Sequence, residues 1–318
     1  MPKTYIIGHQ RPDTDSVVSA LSLEYLYQTI NCFGYRNTQA AITDLVNNET
    51  QYLLDKFQIK APLLLTAEKI READQIVLVD HNEESQRLPN LNPNQISEIV
   101  DHHKINLNLT QPIYLNIKPW GSTTSIIYFM MQQFANKPVK PSKQLAGLML
   151  AAILSDTVGF KSSTTTRKDQ QIANDLAKIA EIDNIEAFAL EILKAKSNLE
   201  GLSPQQLVKY DYKIFDFGQK VLIGQLETVE QASLIKAKKT ALLSAMKTVK
   251  EEEKVDLIFL AITDVLKVNT KLLVADNQST QVAQQAFGST AADHVLDIGS
   301  KLSRKKDIVP VIEKQLKG

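Results

Sequence analysis

An open, mostly parallel α/β sheet domain followed by a second, smaller α/β domain of mixed sheet is the architecture this sequence predicts. Three observations carry it. Short β-branched runs alternate with helical patterns over the first two thirds of the chain, as in βαβ units. Several of those runs end abruptly in acids and histidines, and parallel sheets bind ligands beyond the carboxyl ends of their strands. After a polar stretch with Gly and Pro at 197–204 (SNLEGLSP), the pattern changes to hairpin-like strand pairs around a long charged helix. The organisation expected is a first domain over 1–196, a linker over 197–204 and a second domain over 205–318.

The elements follow in order. Residues 4–7 read as a buried strand, and a polar loop leads to a helix over 16–33 with Asp15 and Ser16 as caps. Residues 38–42 are a second strand and 48–57 a helix with a good start signal. QIVLV at 75–79 ends in Asp80-His81-Asn82, and 96–100 ends in Asp101-His102-His103. A strand at 113–117 runs through Pro119, Gly121 and Ser122 into another helix. Residues 141–154 form a helix ending at Ser155-Asp156-Thr157, with further helices over 166–181 and 184–195. Beyond the linker, 212–217 and 220–226 flank Gly218 like a hairpin, 231–250 is helical, and 256–263 with 271–275 make a second strand pair.

Composition narrows the function. A length of 318 residues suits two domains, and 43% hydrophobic with 23% charged residues is globular rather than disordered. Lys plus Arg and Asp plus Glu are both 36, so the net charge is zero, which speaks against nucleic acid or a membrane surface as a general partner. The single Cys32 excludes an internal disulfide framework and a Cys-rich zinc site, and suits a reducing compartment. The apolar run 145–154 is short of the ~20 residues a bilayer needs, and MPKTYIIGHQ lacks the apolar core of a secretory signal. A cytoplasmic protein is expected.

The chemistry gathers in four places. In GHQRPDTDS, His9 and Asp13 could share one ion while Asp15 points to another; alone, this loop is read as well by turns and helix caps. Asp80 and Asp101-His102-His103 project from strand ends. Asp156 closes an apolar helix, where the helix dipole disfavours a carboxylate unless a cation compensates it. His9, His81, His102 and His103 lie in or beside these acidic clusters, whereas His294 has none and reads as structural or exposed. Together the clusters supply six to seven donors, room for two ions about 3.5–4 Å apart as in two-metal hydrolases. Mixed imidazole and carboxylate donors favour Mn²⁺, Co²⁺ or Fe²⁺ over Mg²⁺.

GHQRPDTDS, LVDHN, DHH and SDT, in this order, resemble the DHH phosphoesterase superfamily, and within it the family II (manganese-dependent) inorganic pyrophosphatases. YDYKIF and SRKKDIVP extend the resemblance through the second domain. The family loop is closer to GHxNPDTDS, so Gln10-Arg11 departs from it, and Trp120 before Gly121 is also unusual. The resemblance implies that His9 and Asp13 bind one metal, Asp15, His102 and Asp156 the second, and Asp80 both. It makes Asp101 the carboxylate that orients His102, has His103 face the substrate, and has Lys213, Arg304 and Lys305 grip the phosphates. The implied reaction is hydrolysis of diphosphate to two orthophosphates by a hydroxide activated between two Mn²⁺ ions, with Co²⁺ as a possible substitute and additional Mg²⁺ or Mn²⁺ arriving with the substrate. Closure about 197–204 and a homodimer are implied too. Two other readings stay open: a DHH phosphoesterase acting on polyphosphate, oligonucleotides or nucleoside bisphosphates, and a non-catalytic metal-dependent binding module. The first would carry a GGGH-like motif, which the sequence lacks.

Overall fold

The structure, a computed structural model, describes residues 2–30, 34–35, 37–133, 138–197, 199 and 201–317. Cys32 and Phe33, at the end of the first expected helix, and Asn198 and Glu200 of the expected linker lie outside the described residues. The chain divides into two compact units, Met1–Lys196 and Ser197–Gly318.

Unit 1 contains β1 (Thr4–Ile7), α1 (Thr14–Ile30), β2 (Thr38–Ile42), α2 (Asn48–Lys56), β3 (Leu63–Leu64), β4 (Gln75–Val79), β5 (Ile96–Asp101), β6 (Tyr114–Ile117), α3 (Thr123–Gln133), α4 (Lys143–Asp156), α5 (Arg167–Ala180) and α6 (Ile185–Lys196). Its strands form one parallel sheet in the order β3-β2-β1-β4-β5-β6. The alternation of side chains along each strand splits the core in two. Ile6, Val77, Val79 and Val100 pack with α1 and α4 on one face, while Tyr5, Ile7, Leu78 and Ile99 pack on the other. Helix α4 is apolar on all sides and buried over 145–155, as expected of a central helix. No helix among the described residues is long and apolar enough to cross a membrane.

The order reverses at β1, so the chain leaves it toward β2 on one side and returns at β4 on the other. That switch point opens a crevice at the carboxyl ends of β1 and β4. Register sets how the strand ends step. Ile7 lies opposite Leu78, and Leu78 opposite Ile99, so β4 ends one residue and β5 two residues beyond the level of Ile7, and Asp80, which follows Val79, comes level with Asp101 at the end of β5. Between β4 and β5 the pairing steps from Ile76–Ile96 to Val77–Glu98, leaving Ser97 as an extra residue. Its hydroxyl donates to the Ile76 carbonyl at 3.2 Å.

One helix start differs from the sequence expectation, and one helix end agrees with it. Helix α1 begins at Thr14, because Asp13, rather than Asp15 or Ser16, is the cap: its carboxylate accepts from the Ser16 amide at 3.0 Å. Helix α4 continues through Asp156 and stops at Thr157, after which Val158 and Gly159 take left-handed backbone conformations.

Unit 2 contains α7 (Pro204–Val208), β7 (Tyr212–Asp216), β8 (Lys220–Thr228), α8 (Gln231–Glu252), β9 (Leu257–Asp264), β10 (Asn269–Val274), α9 (Asn277–Phe287), β11 (Val295–Asp297), a π-turn (Arg304–Ile308) and α10 (Val309–Lys317). Its sheet has the order β11-β10-β9-β8-β7; β8 and β9 are parallel and the other pairs antiparallel, so the sheet is mixed. Pro204 is the first residue of α7, with a capping box between Ser203 and Gln206, the place where a proline favours a helix start.

Candidate metal centre

The loop after β1 turns sharply. His9 donates its amide to the Ser16 hydroxyl at 3.1 Å, and a Cβ on Gly8 would lie 1.8 Å from that same oxygen, so only glycine fits beneath it. The His9 ring is fixed by Nδ1 against the Gln10 carbonyl at 2.8 Å. Facing a carbonyl, Nδ1 must carry the proton, which leaves Nε2 for the crevice. Nε2 stands 3.6 Å from an Asp13 carboxylate oxygen and 3.5 Å from Oδ2 of Asp80.

Asp80 follows β4 in a left-handed conformation (φ 62°), which Asp and Asn tolerate better than most residues. Its side chain is buried, with the Thr123 hydroxyl donating to Oδ1 at 2.9 Å. His102 repeats the His9 arrangement: Nδ1 lies 2.9 Å from the Trp120 carbonyl, and Nε2 is 3.4 Å from Oδ1 of Asp80 and 3.3 Å from Oδ2 of Asp156.

Asp15 is seated on the N-terminus of α3. Its carboxylate accepts from the Ser122 hydroxyl at 2.7 Å and from the Thr123 and Thr124 amides at 2.7 and 3.1 Å, a favourable place for an anion. The turn that presents these donors is tight, because the Gly121 amide donates to Asp169 at 2.9 Å and a Cβ there would lie 2.6 Å from Thr157. Gly121→Ala is therefore expected to lower stability by about 1–3 kcal/mol through overpacking, seen as a lower denaturation midpoint.

Three sets of donor atoms lie within 4.8 Å of one another: His9–Asp13–Asp80, Asp15–His102–Asp156 and Asp80–His102–His103. The imidazole–carboxylate separations of 3.3–3.6 Å exceed the usual hydrogen-bond range of about 2.7–3.2 Å. They match the spacing of neighbouring ligands that each stand about 2.0–2.2 Å from one cation. The electrostatics agree. Burial, then the charge of Asp15, pushes the Asp156 carboxyl up to about 7. The same two causes hold Asp80 well above the ordinary carboxylate range. Burial opposes a charged His9, but attraction to the Asp13 and Asp80 carboxylates outweighs it and pushes the imidazole up to about 11. Without an added cation the site thus carries more acid than it can ionise, and this donor set fits a pair of divalent ions.

The residues expected to line the site are distributed as follows. His9, Asp13, Asp15, Asp80, His102 and Asp156 come together at the crevice, with His103 and Asp101 at its edge. The expected partnership of Asp101 with the His102 ring is corrected. Oδ1 of Asp101 accepts from the amides of His102 and His103 at 2.7 and 3.0 Å and meets Nδ1 of His103 at 2.9 Å. The chain turns as it leaves β5, so the carboxylate folds over the next two residues and reaches the second ring; the first points toward Trp120. That hydrogen bond from His103 raises its imidazole pKa. In unit 2, Lys213 lies exposed on β7 and Lys305 exposed on the π-turn. Arg304 is half-buried, and its guanidinium donates to the Asp211 carbonyl at 2.6 Å and carboxylate at 2.9 Å, just before β7. His294 is exposed, with its Nδ1 3.0 Å from the Val274 carbonyl.

Residues 3–153 match the DHH family, N-terminal domain, and residues 190–315 match the DHHA2 domain. The manganese-dependent inorganic pyrophosphatase of Methanocaldococcus jannaschii is 39% identical over 99% of both chains. That of Methanothrix thermoacetophila is 38% identical over 98% of both. The chain belongs to the manganese-dependent inorganic pyrophosphatase family. A crystal structure of a Methanococcus jannaschii protein described as a family II inorganic pyrophosphatase covers 99% of this chain and 100% of its own at TM-score 0.62 and 38% identity. An exopolyphosphatase-related protein from Bacteroides fragilis, 18% identical at TM-score 0.51 over 99% of this chain and 91% of its own, shares the fold.

Against the pattern of the manganese-dependent inorganic pyrophosphatase family, two departures acquire a place. Arg11, where the family loop has asparagine, takes a left-handed backbone conformation (φ 52°) and donates its amide to the Asp44 carboxylate at 2.8 Å. Trp120 serves His102 through a backbone carbonyl, which any side chain could offer, while its ring packs on Phe129. The sequence reading missed the 120–124 segment as a unit. It touches His102, Asp15 and Asp80, yet does so largely through main-chain groups that no residue type advertises.

Proposed function

We propose that this chain hydrolyses inorganic diphosphate to two orthophosphates at a pair of divalent cations, Mn²⁺ above others, with Co²⁺ as a substitute and further Mg²⁺ or Mn²⁺ entering with the substrate. One observation carries the reading. Two imidazoles, each tied by Nδ1 to a backbone carbonyl, turn Nε2 toward opposite oxygens of one buried carboxylate, His9 toward Oδ2 of Asp80 and His102 toward Oδ1. Asp80 thereby offers one oxygen to each ligand set, His9 with Asp13 on one side and His102 with Asp15 and Asp156 on the other. Ions held there would supply Lewis-acid charge and acidify water toward neutral pH.

The remaining groups serve the anion. Asp101 fixes the His103 ring by Nδ1, so a proton held at Nε2 faces outward and can be donated to a phosphate oxygen. A cavity of about 240 Å³ beside Asp13, Asp80 and His103 suits a small oxyanion, being below the ~300–1,000 Å³ of sites for larger ligands. Lys213, Arg304 and Lys305 are assigned to the phosphates, whose charge the acids of unit 1 would otherwise repel. The reading keeps the enzyme cytoplasmic, in line with one cysteine in 318 residues. It makes it a homodimer without nucleic-acid or membrane partners. The position of β6 at the edge of the sheet, with Leu115 47% exposed, supports a pairing surface. A solution mass of twice 35.5 kDa checks it.

The test supplies Mn²⁺-loaded protein with diphosphate, tripolyphosphate and a nucleoside bisphosphate while phosphate release is followed. Fast release from diphosphate alone is expected. A preference for either other substrate would make it a different phosphoesterase, and silence on all three would leave a binding module. In the same assay Lys305→Ala should raise KM or lower kcat by about 10-fold or more with metal content unchanged.

A further inference from the structure

Four carboxylates crowd the centre, and mutual repulsion would drive their carriers apart before any cation arrives. Asp13 and Asp15 flank Thr14 at the start of α1, and Asp156 follows Ser155 at the end of α4. These two segments meet at a side chain that the reaction does not use. Glu49, in the first turn of α2, is buried and accepts from the Thr14 hydroxyl at 2.5 Å and from the Ser155 hydroxyl at 2.6 Å, both on Oε1. Its other oxygen is buried with no hydrogen-bond partner among the described residues. A buried acid with one unsatisfied oxygen is a poor choice for packing alone, since leaving such an atom unpaired costs about 1–3 kcal/mol.

We infer that Glu49 is a positioning residue: it ties the first turn of α1 to the last turn of α4 from behind, holding Asp13, Asp15 and Asp156 at one spacing so that both ligand sets are preformed. This rests on the metal reading above. The tie acts one residue away from each ligand, through Thr14 and Ser155, and Thr50 backs it by meeting the Thr14 hydroxyl at 2.9 Å. Lys196 Nζ lies 3.4 Å from the Ser155 hydroxyl and adds a cation behind the Asp156 arm. Because both hydroxyls donate to one oxygen, a carbonyl in its place should serve as well, whereas losing the acceptor frees both segments at once.

Full-length protein stripped of metal is titrated with Mn²⁺ by calorimetry, and bound manganese is measured after desalting. Wild type is expected to take up two ions per chain. Glu49→Ala should weaken both uptake steps by about 10–100-fold, the usual effect of losing a group that orients ligands, while Glu49→Gln stays within about 3-fold of wild type. Ser155→Ala, which frees only the Asp156 arm, should weaken one step and spare the other, an asymmetry that general loss of stability would not produce. Uptake by Glu49→Ala equal to wild type would overturn the tie, as would Glu49→Gln binding as weakly as Glu49→Ala. If Glu49→Ala does not fold, the Gln and Ser155 variants still decide. Wild-type protein that binds no Mn²⁺ would overturn the metal reading and the tie together; wild-type binding with unaltered variants would overturn the tie alone.

Discussion

Asp80→Asn is expected to lower diphosphate turnover by about 10³-fold or more, at least the loss seen when one preorganised electrostatic group leaves a site. Asparagine retains the shape and tolerates the left-handed backbone at this position, so the fold should survive. It cannot offer a charged oxygen to each ligand set, and Mn²⁺ content should drop from two ions per chain. The metal-free protein should respond in the opposite sense. Asp80 is a buried acid surrounded by Asp13, Asp15 and Asp156, and removing it relieves about 1–3 kcal/mol, or about 2–4 °C in Tm for each kcal/mol. An inactive variant whose metal-free form melts higher than wild type is the signature sought. Full activity in Asp80→Asn would disprove the ligand assignment.

The second large effect is a pair of opposite pH slopes. In the metal-free protein His9 titrates at about 11 against an ordinary 6.5. Between those values the folded chain keeps a proton that the unfolded chain has released, so stability falls as pH rises, by at most ~1.4 kcal/mol per pH unit for each such group. Asp156, at about 7 against 3.8, acts in the same direction below neutrality. Buried His81, lowered to about 4, opposes it there by destabilising the fold as pH falls below 6.5. The clean window therefore lies above pH 6.5, where Tm of metal-free protein should decline steadily. Loading Mn²⁺ requires His9 and His102 to be neutral and displaces protons, so its affinity should climb about tenfold per pH unit for each proton displaced. Melting curves and Mn²⁺ titrations at pH 6.5, 7.5 and 8.5 would show both trends, and parallel slopes would count against the assignment.

Much of unit 1 was legible because its strands announce themselves. QIVLV and ISEIV are β-branched runs with abrupt polar ends, and those ends carry Asp80 and the Asp101–His103 cluster. Helices α9 and α10 went unread for a physical reason. Helix α9 packs only a short stripe of Val282, Ala283 and Phe287 amid glutamines and Ser279, and α10 holds Pro310 in its first turn, which reads as a break. Strand β11 and strand β3 are too short to show a period. In the site, residue types and spacing revealed the donors but not their supports. Which ring Asp101 would hold depended on side-chain direction after a strand end, and the seat of Asp15 is built from amides of α3. Glu49 looked like any acid in the first turn of a helix.

The extra residue Ser97 reaches further than its size suggests. Side chains alternate faces along a strand, so one residue more or less inverts everything downstream. Were β5 to run without it, Val100 and Ile99 would trade sides of the sheet and the imidazoles beyond them would be presented back to front. The handedness of the catalytic crevice is thus decided at the opposite end of the strand, by a single hydroxyl-bearing step, and lineages that gained or lost a residue there would have had to rebuild hydrophobic interior and chemistry in the same stroke.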